Sequence, residues 1–369
     1  MARSPSPDVR IGIVGCGRAT ASLHVPALAR VRGATVVALA DRDPVSLETV
    51  ASSVPGAVTY TDYQALIDDE RVDLVAVCVP VTLHTGVTVA ALRAGKHVFT
   101  EKPLALTLDE CDRLVDLARI AESSGIRSAV GFNLRSHRLL RQAREIIGSG
   151  ALGEIELLRT LWTADWSGTA RPVWHALRSQ GGGALLEIGS HQADLWRWLL
   201  RSEVESVHAL SRSTAFDDQT AALQARMAGG ALVSAAVSQR SASHNEVEVL
   251  GSRGSLRLSC YRADSLEVDT VGGPSSVAGR RLALLLGRAA KLPAALRAAR
   301  GGGDFRMSYV HEWEHVVSAL RDGGSMPASV HDGRQAAAIM LAALRSSREG
   351  APVSVEAEPP PSSEEMRAG

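Results

Sequence analysis

The amino-acid sequence predicts two α/β regions in succession. The first is a parallel sheet with helices on both faces, and the second is an α+β domain with an open, largely antiparallel sheet. Two observations predict this division. Apolar runs alternate with helical stretches up to about residue 130, and close-spaced strand-like runs separated by turn residues follow.

Five short apolar runs in the first region predict buried strands, because parallel strands covered on both faces read as nearly continuous apolar segments. These runs are Val9–Val14, Thr35–Ala40, Asp73–Val79, His97–Thr100 and Ser128–Phe132. The helical stretches between them are Ala19–Val31, Val45–Ser53, Thr82–Ala94 and Leu108–Ser123. Strands that alternate with helices require crossover connections, and these favour a parallel sheet.

The second region begins with a predicted helix at His137–Ile147. Seven strand-like runs follow it, at Ile155–Trp162, Val204–Ser211, Ala221–Met227, Leu232–Gln239, Val247–Leu250, Ser255–Leu258 and Leu266–Val271. The helices predicted beside this sheet are Leu185–Leu200, Ser308–Leu320 and Gly333–Arg348. Residues 279–303 form a basic amphipathic insertion, interpreted as a surface helix, with a subunit contact or a lid as alternatives.

These patterns divide the chain into four parts. Residues 1–8 and 356–369 are expected to be disordered, residues 9–130 to form the first domain and residues 131–355 the second. Lys plus Arg equals Asp plus Glu, 40 against 40, so net charge gives no reason to expect nucleic acid or a membrane as partner. Four scattered cysteines without a C-x-x-C pair argue against a metal cluster and favour a reducing cytoplasm.

A glycine-rich turn follows the first predicted strand and opens the first helix. Gly15 allows a tight turn, and Gly17 lets the backbone approach a pyrophosphate, whose charge the helix N-terminus favours. Thr20 replaces the third glycine of this fingerprint. The setting predicts a Rossmann domain that binds a dinucleotide, with these residues at the phosphates: Gly15, Gly17, Arg18, Ala19 and Thr20.

Asp41 ends the second predicted strand, where a carboxylate can accept hydrogen bonds from the adenosine ribose hydroxyls. It would repel a 2′-phosphate, so NAD is favoured over NADP. Arg42 follows and could hold a 2′-phosphate if Asp41 turned away, so NADP remains possible.

Lys102 is one of only three lysines, since Lys96 and Lys291 are the others and every other basic residue is arginine. It follows the fifth strand, where ligands of such sheets bind, so Glu101 and Lys102 should face the nicotinamide. An ammonium can stabilise a developing alkoxide and can exchange a proton, whereas arginine cannot deprotonate in this role.

Glu187 and His191 are four residues apart on a predicted helix and therefore share a face, which Asp194 roughly shares. Histidine suits the removal of a proton from an alcohol, and a carboxylate one turn away can orient it or bind a substrate hydroxyl. Reading Glu187, His191 and Asp194 as metal ligands is a weaker alternative, so no metal is expected. Other side chains expected near the cleft are Asn133, Arg135, Trp162, Trp166, Trp174 and His175.

The ordered motifs resemble the glucose–fructose oxidoreductase, inositol dehydrogenase and rhizopine-catabolism (Gfo/Idh/MocA) family over about residues 9–350. The motifs are GIVGCGRAT, VPVTLH, AGKHVFTEKP, GFNLR and GGGALLEIGSHQADL. The resemblance implies that the peptide bond between Lys102 and Pro103 is cis and that Pro80 and His84 border the nicotinamide. It also implies a homodimer or homotetramer formed through the second sheet. The family usually has Asp where this chain has Glu187.

The resulting hypothesis is an NAD(P)-dependent enzyme that moves hydride between the nicotinamide and a secondary alcohol of a sugar, sugar derivative or cyclitol. Lys102, His191 and Glu187 are its expected catalytic residues, and Asn133, Arg135 and Trp174 should contact the substrate with them. The alternatives are a nucleotide-sugar ketoreductase, an NAD-dependent glycosidase of the same fold and a non-catalytic dinucleotide-binding regulator.

Overall fold

The computed structural model describes residues 8–166, 172–262, 265–270, 293 and 300–356. The termini 1–7 and 357–369 lie outside the described residues, as does most of the 279–303 insertion. Among the described helices, none combines the length and the apolar character that a membrane span requires.

The first sheet has six strands in the order β3-β2-β1-β4-β5-β6, and every neighbouring pair is parallel. The strands are β1 (Val9–Val14), β2 (Ala34–Ala40), β3 (Val58–Tyr60), β4 (Leu74–Val77), β5 (His97–Glu101) and β6 (Ser128–Gly131). The connecting helices include α1 (Val25–Leu28), α2 (Pro44–Ala51), α3 (Tyr63–Ile67), α4 (His84–Arg93) and α5 (Leu108–Ser123). The predicted parallel sheet is confirmed, and its strand order reverses between β1 and β4, where such sheets form a binding crevice.

Two short elements of this domain were not predicted. Strand β3 has three residues and none of them is fully buried, so its sequence carries no apolar run. Helix α3 has five residues, too few for a helical period, although Asp62 caps its first turn through the backbone N–H of Gln64.

The predicted helix Ala19–Val31 is wrong in detail. A π-helical segment, Thr20–His24, precedes the single α-helical turn α1. The N–H of Val25 donates to the carbonyl of Thr20, five residues earlier, and the next residue, Pro26, has no N–H to donate. This wide turn places the side chain of His24 in the protein interior, where it is fully buried.

The second sheet has eight strands in the order β13-β12-β11-β7-β10-β9-β8-β14. Among the strand pairs in the described residues, only β7–β10 is parallel, so the prediction of a largely antiparallel sheet is confirmed. The strands are β7 (Ile155–Asp165), β8 (Val204–Arg212), β9 (Thr220–Met227), β10 (Leu232–Ser238), β11 (Arg240–Gly251), β12 (Gly254–Leu258), β13 (Glu267–Thr270) and β14 (Val353–Ser354). The two-residue strand β14 was not predicted.

Five α-helices belong to the described part of this region, and the last two of them also pack against the first domain. They are α6 (Arg138–Gly148), α7 (Ala184–Glu187), α8 (Gly189–Leu200), α9 (Asp304–Asp322) and α10 (Val330–Glu349). Helix α10 packs on β8, α5 and α8. Helix α9 returns to the first domain, where Trp313 joins the apolar core beside Ile11 and Phe99.

The prediction of one continuous helix over Leu185–Leu200 is wrong, because the helix is interrupted at Ile188. The N–H of His191 donates to the carbonyl of Ile188 at 3.1 Å, three residues back, instead of to the carbonyl of Glu187. Gly189 follows the break and packs tightly, since a Cβ atom there would lie 2.4 Å from Sδ of Met340. The interruption leaves the carbonyl of Glu187 available to a side chain from elsewhere.

Candidate active site

The glycine turn after β1 lies beside the end of β4, at the carboxyl edge of the first sheet. Gly15 has a φ of +99°, and a Cβ atom there would lie 2.4 Å from the carbonyl oxygen of Cys78, so only glycine fits. A Cβ atom on Gly17 would meet none of the described heavy atoms within 4 Å. The space over Gly17 is therefore open to a ligand, and it fits the pyrophosphate of a dinucleotide.

The remaining residues of the turn complete this cradle. The hydroxyl of Thr20 donates to the carbonyl of Gly15 at 2.5 Å, which closes the turn from beneath. Arg18 and Ala19 are exposed at its outer edge, beside Gly17. Their contact with phosphate stays a prediction.

Asp41 lies at the end of β2 and joins that strand to the glycine turn. Its Oδ2 accepts a hydrogen bond from the backbone N–H of Cys16 at 2.7 Å, and its Oδ1 accepts one from the N–H of Asp43 at 2.9 Å. Arg42 is exposed beside it. The carboxylate is thus held at the edge of the crevice, where a ribose would need it.

Lys102 follows β5 and reaches into the second domain. The peptide bond between Lys102 and Pro103 is cis, as the family resemblance implied. The Nζ atom of Lys102 donates to the carbonyl oxygen of Glu187 at 2.9 Å. The ammonium is therefore held at the break between α7 and α8, one turn before His191.

Glu101 lies directly behind Lys102. Its Oε2 accepts a hydrogen bond from the backbone N–H of Lys102 at 3.0 Å, and its Oε1 lies 3.0 Å from Nε2 of His24. Burial raises the pKa of Glu101, but the contact with His24 and the charge of Lys102 outweigh it, so the pKa is below its usual value. Glu101 is therefore a carboxylate near neutral pH.

His84, a predicted cofactor ligand, makes its contacts within the protein. Its Nδ1 lies 2.9 Å from the carbonyl oxygen of Pro103, and its Nε2 lies 2.9 Å from that of Val79. Burial lowers the pKa of this imidazole. His84 ties the segment after β4, where Pro80 is half-buried, to the peptide that follows Lys102.

His191 is the third residue of α8, just after the break at Ile188. Its ring stacks on Trp162, with centroids 5.8 Å apart and an interplanar angle of 17°. Its Nδ1 is buried and has no hydrogen-bond partner among the described residues. Burial, followed by the charge of Lys102, lowers the pKa of His191 well below 6.5. The imidazole is therefore neutral and can accept a proton.

The carboxylate of Glu187 belongs to a polar cluster on the substrate side. Its Oε2 accepts a hydrogen bond from Nε2 of Gln239 at 2.9 Å and lies 3.0 Å from Nδ1 of His175. The ring of His175 stacks on Trp174, with centroids 3.6 Å apart. Gln239 was not predicted as a site residue, because nothing in the sequence marks the polar residue at the end of this strand as fully buried.

Arg135 and Asn133 were expected to contact substrate, and the structure gives both of them partners within the protein. The guanidinium of Arg135 donates to both carboxylate oxygens of Asp194 and to Asp332. Asn133 is fully buried and donates to the hydroxyl of Ser308 at 2.7 Å. These bonds tie the segment after β6 to α8, α9 and α10, so the geometry favours a structural role for both residues.

Asp194 also departs from its expected place. It is buried against Arg135 and so does not complete a cluster with Glu187 and His191. In the described part of the chain, no three side chains of the metal-binding types come together in a way that could hold an ion.

Helix α9 contributes two residues that sequence analysis missed. The indole Nε1–H of Trp313 donates to Nδ1 of His24 at 3.2 Å. Glu312 is fully buried, and neither carboxylate oxygen has a hydrogen-bond partner among the described residues. Burial, followed by the nearby charge of Glu101, raises the pKa of Glu312 well above 4.5, so this side chain is a neutral acid.

An open glycine turn at the carboxyl edge of a parallel sheet, with a lysine held one turn before a neutral histidine, is typical of a dinucleotide-dependent oxidoreductase. The chain belongs to the GFO/IDH/MocA family. Residues 9–128 match the model described as "Oxidoreductase family, NAD-binding Rossmann fold", and residues 140–257 match that family's C-terminal domain. The cofactor is accordingly NAD, which the residues at the glycine turn fit.

Three known proteins illustrate the similarity. The myo-inositol 2-dehydrogenase of Thermotoga maritima is 28% identical over 357 residues, which cover 94% of this chain and 99% of that protein. The dTDP-3,4-didehydro-2,6-dideoxy-alpha-D-glucose 3-reductase of Streptomyces violaceoruber is 32% identical over 204 residues, 55% of this chain and 58% of that one. The structure of levoglucosan dehydrogenase in complex with NADH and levoglucosan has a TM-score of 0.81 at 25% identity and covers 95% of this chain and 100% of that one.

The two glycines of the turn should respond differently to alanine. We expect Gly15→Ala to destabilise the protein without cofactor by about 2 kcal/mol or more, because of its positive φ and the contact with Cys78. Gly17→Ala should leave that stability unchanged and raise the Kd for NAD about tenfold, because the methyl group enters the open space. Thermal unfolding and calorimetric titration with NAD measure the two effects. Equal unfolding temperatures for the two variants would contradict this assignment.

Replacement of Arg135 tests its structural role. Arg135→Met leaves Asp194 buried without its partner, so we expect the free energy of unfolding to fall by about 3–5 kcal/mol. Denaturant unfolding measures this change. A variant as stable as the parent but with a raised KM for substrate would instead support the substrate contact expected from the sequence.

The buried acid Glu312 predicts a pH-dependent stability. Its pKa in the folded state lies above the unfolded value near 4.5, so its contribution is lost as pH rises towards the folded-state pKa. Glu312→Gln removes this dependence. We expect its melting temperature to exceed the parent's by more at pH 8 than at pH 5. A difference that does not change with pH would show that Glu312 is ionised in the folded protein.

Proposed function

We propose that this protein oxidises a secondary alcohol of a sugar, sugar derivative or cyclitol with NAD, or reduces the corresponding ketone. The observation that carries this proposal is the amine of Lys102 held one helical turn before His191, whose imidazole is kept neutral by burial and by the charge of that lysine. The similarity to a myo-inositol 2-dehydrogenase over nearly the whole chain supports a polyhydroxylated ring as substrate.

Two side chains of the protein are proposed to take part in the hydride transfer reaction. When bound, NAD supplies the acceptor for the hydride of the carbinol carbon. His191 takes the hydroxyl proton, because its neutral imidazole offers a nitrogen lone pair. The ammonium of Lys102 stabilises the negative charge that develops on the same oxygen, and its bond to the Glu187 carbonyl holds it in place.

The cluster around Glu187 is proposed to bind the hydroxyl groups that do not react. Glu187 and Gln239 offer both hydrogen-bond acceptors and donors, and His175 and Trp174 add a stacked aromatic wall. Glutamate is one methylene longer than the aspartate usual in the family. The side chain of Glu187 therefore extends further than an aspartate would. We propose that its contacts with His175 and Gln239 fix the carboxylate in this extended position.

Asp41 supports NAD as the preferred form of the cofactor, because its fixed carboxylate would repel a 2′-phosphate. We also propose a homodimer or homotetramer formed through the second sheet, whose strands carry exposed Leu210 and Leu232. A cytoplasmic location is consistent with the four free cysteines.

A panel of cyclitols, aldoses and nucleotide sugars, each tested with NAD and NADP, is the direct test. We expect reduced nicotinamide to accumulate, measured by its absorbance, with a cyclitol or aldose and with NAD preferred. Glycoside cleavage without such accumulation would instead identify an NAD-dependent glycosidase. Dinucleotide binding without turnover of any panel member would favour a regulator.

A nucleotide-sugar ketoreductase is the second candidate. The reductase of Streptomyces violaceoruber is 32% identical to this chain, although the match covers only about half of it. This candidate requires that a nucleotide-linked ketosugar be reduced faster than any free sugar or cyclitol is turned over, and the same panel distinguishes the two.

Variants of the paired residues test the mechanism. We expect Lys102→Ala to lower kcat about 100-fold or more while the Kd for NAD changes little, because only charge stabilisation at the reacting oxygen is lost. His191→Asn should lower kcat by about 10²–10⁴, because asparagine cannot take up the proton. Stopped-flow kinetics and NAD titration measure both quantities. Undiminished turnover in either variant would refute its role.

A further inference from the structure

A buried polar chain lies behind Lys102 and joins three separate segments. It runs from the indole of Trp313 on α9, through the imidazole of His24 in the π-helical segment, to the carboxylate of Glu101 at the end of β5. Its last contact is the hydrogen bond from the backbone N–H of Lys102 to Glu101. None of the proposed chemical steps uses Trp313 or His24.

The hydrogen-bond donor beside His24 determines the tautomer of its ring. An indole N–H can only donate, so Nδ1 of His24 must accept and carry no proton. In the singly protonated ring that this bond requires, the proton is on Nε2, which lies 3.0 Å from Oε1 of Glu101 in a close polar contact and not in an aligned hydrogen bond. Trp313 therefore turns the one N–H of this imidazole towards the carboxylate behind the lysine.

Apart from Cys78, Glu101 and the indole N–H of Trp313, the surroundings of His24 are apolar. The ring is fully buried, and its edges contact the rings of Phe99, Tyr309 and Trp313 at centroid distances of 5.8, 5.5 and 6.0 Å. A leucine side chain could pack among these rings equally well. Burial of an imidazole there costs free energy unless its nitrogens are hydrogen-bonded.

We propose that His24 is a positioning residue for the reacting amine. Held in one tautomer by Trp313, it keeps the Nε2 edge of its ring in a 3.0 Å polar contact with the carboxylate of Glu101 and thereby fixes the main chain of Lys102, whose side chain then meets the carbonyl of Glu187. The expected effect of His24 on turnover rests on the proposed function, whereas its expected effect on the position of Lys102 does not.

The substitutions His24→Gln and His24→Leu separate positioning from packing. Glutamine can keep both an amide donor for Glu101 and an acceptor for Trp313, whereas leucine has neither. We expect His24→Leu to lower kcat about tenfold or more with the KM and the Kd for NAD nearly unchanged, because the amine is displaced and binding is not. His24→Gln should restore most of the lost activity. Equal activity of the two variants would overturn the proposal.

The pH profile gives a second readout. The titratable groups that face Glu101 or its partner His24 are His24, Cys78, His84, Lys102, Tyr309 and Glu312. The contact with His24 lowers the pKa of Glu101, so its loss raises that pKa. In His24→Leu the acidic limb of kcat should move to higher pH, and in His24→Gln it should stay closer to that of the parent. An unmoved limb in His24→Leu would count against the contact.

Chemical labelling of amines tests the position of Lys102 without any substrate. Trace acetylation followed by mass spectrometry reports Lys102 and Lys96 separately, and Lys96 is an internal standard because it is bound to the carbonyls of Asp69 and Val72. In His24→Leu, the labelling rate of Lys102 relative to Lys96 should rise about threefold or more, as the bond to Glu187 weakens. In His24→Gln it should stay within about twofold of the parent.

His137 provides the matched control. It is also fully buried, and its Nε2 lies 3.0 Å from the carbonyl oxygen of Cys260, remote in sequence from the Trp313 chain. His137→Leu should leave the relative labelling of Lys102 unchanged. A rise as large as that in His24→Leu would show a general loss of packing and overturn the proposal. If labelling behaves as expected but the parent turns over no panel substrate, the positioning role stands and the proposed function fails.

Discussion

The hydrogen bond from Lys102 to the carbonyl of Glu187 is the interaction on which the site depends. It connects the end of a strand in the first domain with the end of a helix in the second, 85 residues later in the chain. A flexible lysine side chain loses considerable rotamer freedom when it is held in this way. In return, the amine acquires a defined position beside the imidazole of His191. The cleft between the domains is therefore bridged at the point where the reacting oxygen is proposed to bind.

That bond exists because the helix is broken. In an unbroken helix, the carbonyl of Glu187 would accept the backbone N–H of His191 and would be unavailable. The backbone N–H of His191 bonds to Ile188 instead, so the polypeptide exchanges one internal hydrogen bond for one between domains. Buried backbone groups are almost always paired, and here the partner is a side chain that is itself part of the site.

Sequence patterns predicted those parts of the fold that rest on local regularity. The bounds of β1 and α5 agree with the predictions residue for residue, because an apolar run and a capped amphipathic period are both visible locally. Strand β3 and the break at Ile188 could not be predicted, since both depend on contacts with distant segments. The same limit applies to Arg135, whose partners lie 59 and 197 residues away. A motif can indicate that an arginine is near a cleft, but it cannot show which carboxylates occupy it.

The two hydrogen bonds accepted by Asp41 have a consequence for how this chain could evolve. One oxygen holds the glycine turn and the other holds the start of α2, so this carboxylate is an internal brace as well as a candidate ribose ligand. Replacing it with a smaller neutral side chain would remove the repulsion of a 2′-phosphate but would also loosen the glycine turn that is proposed to hold the pyrophosphate. A change of cofactor preference from NAD to NADP therefore requires more than one substitution, because a second change must restore the hydrogen bonds that Asp41 accepts there.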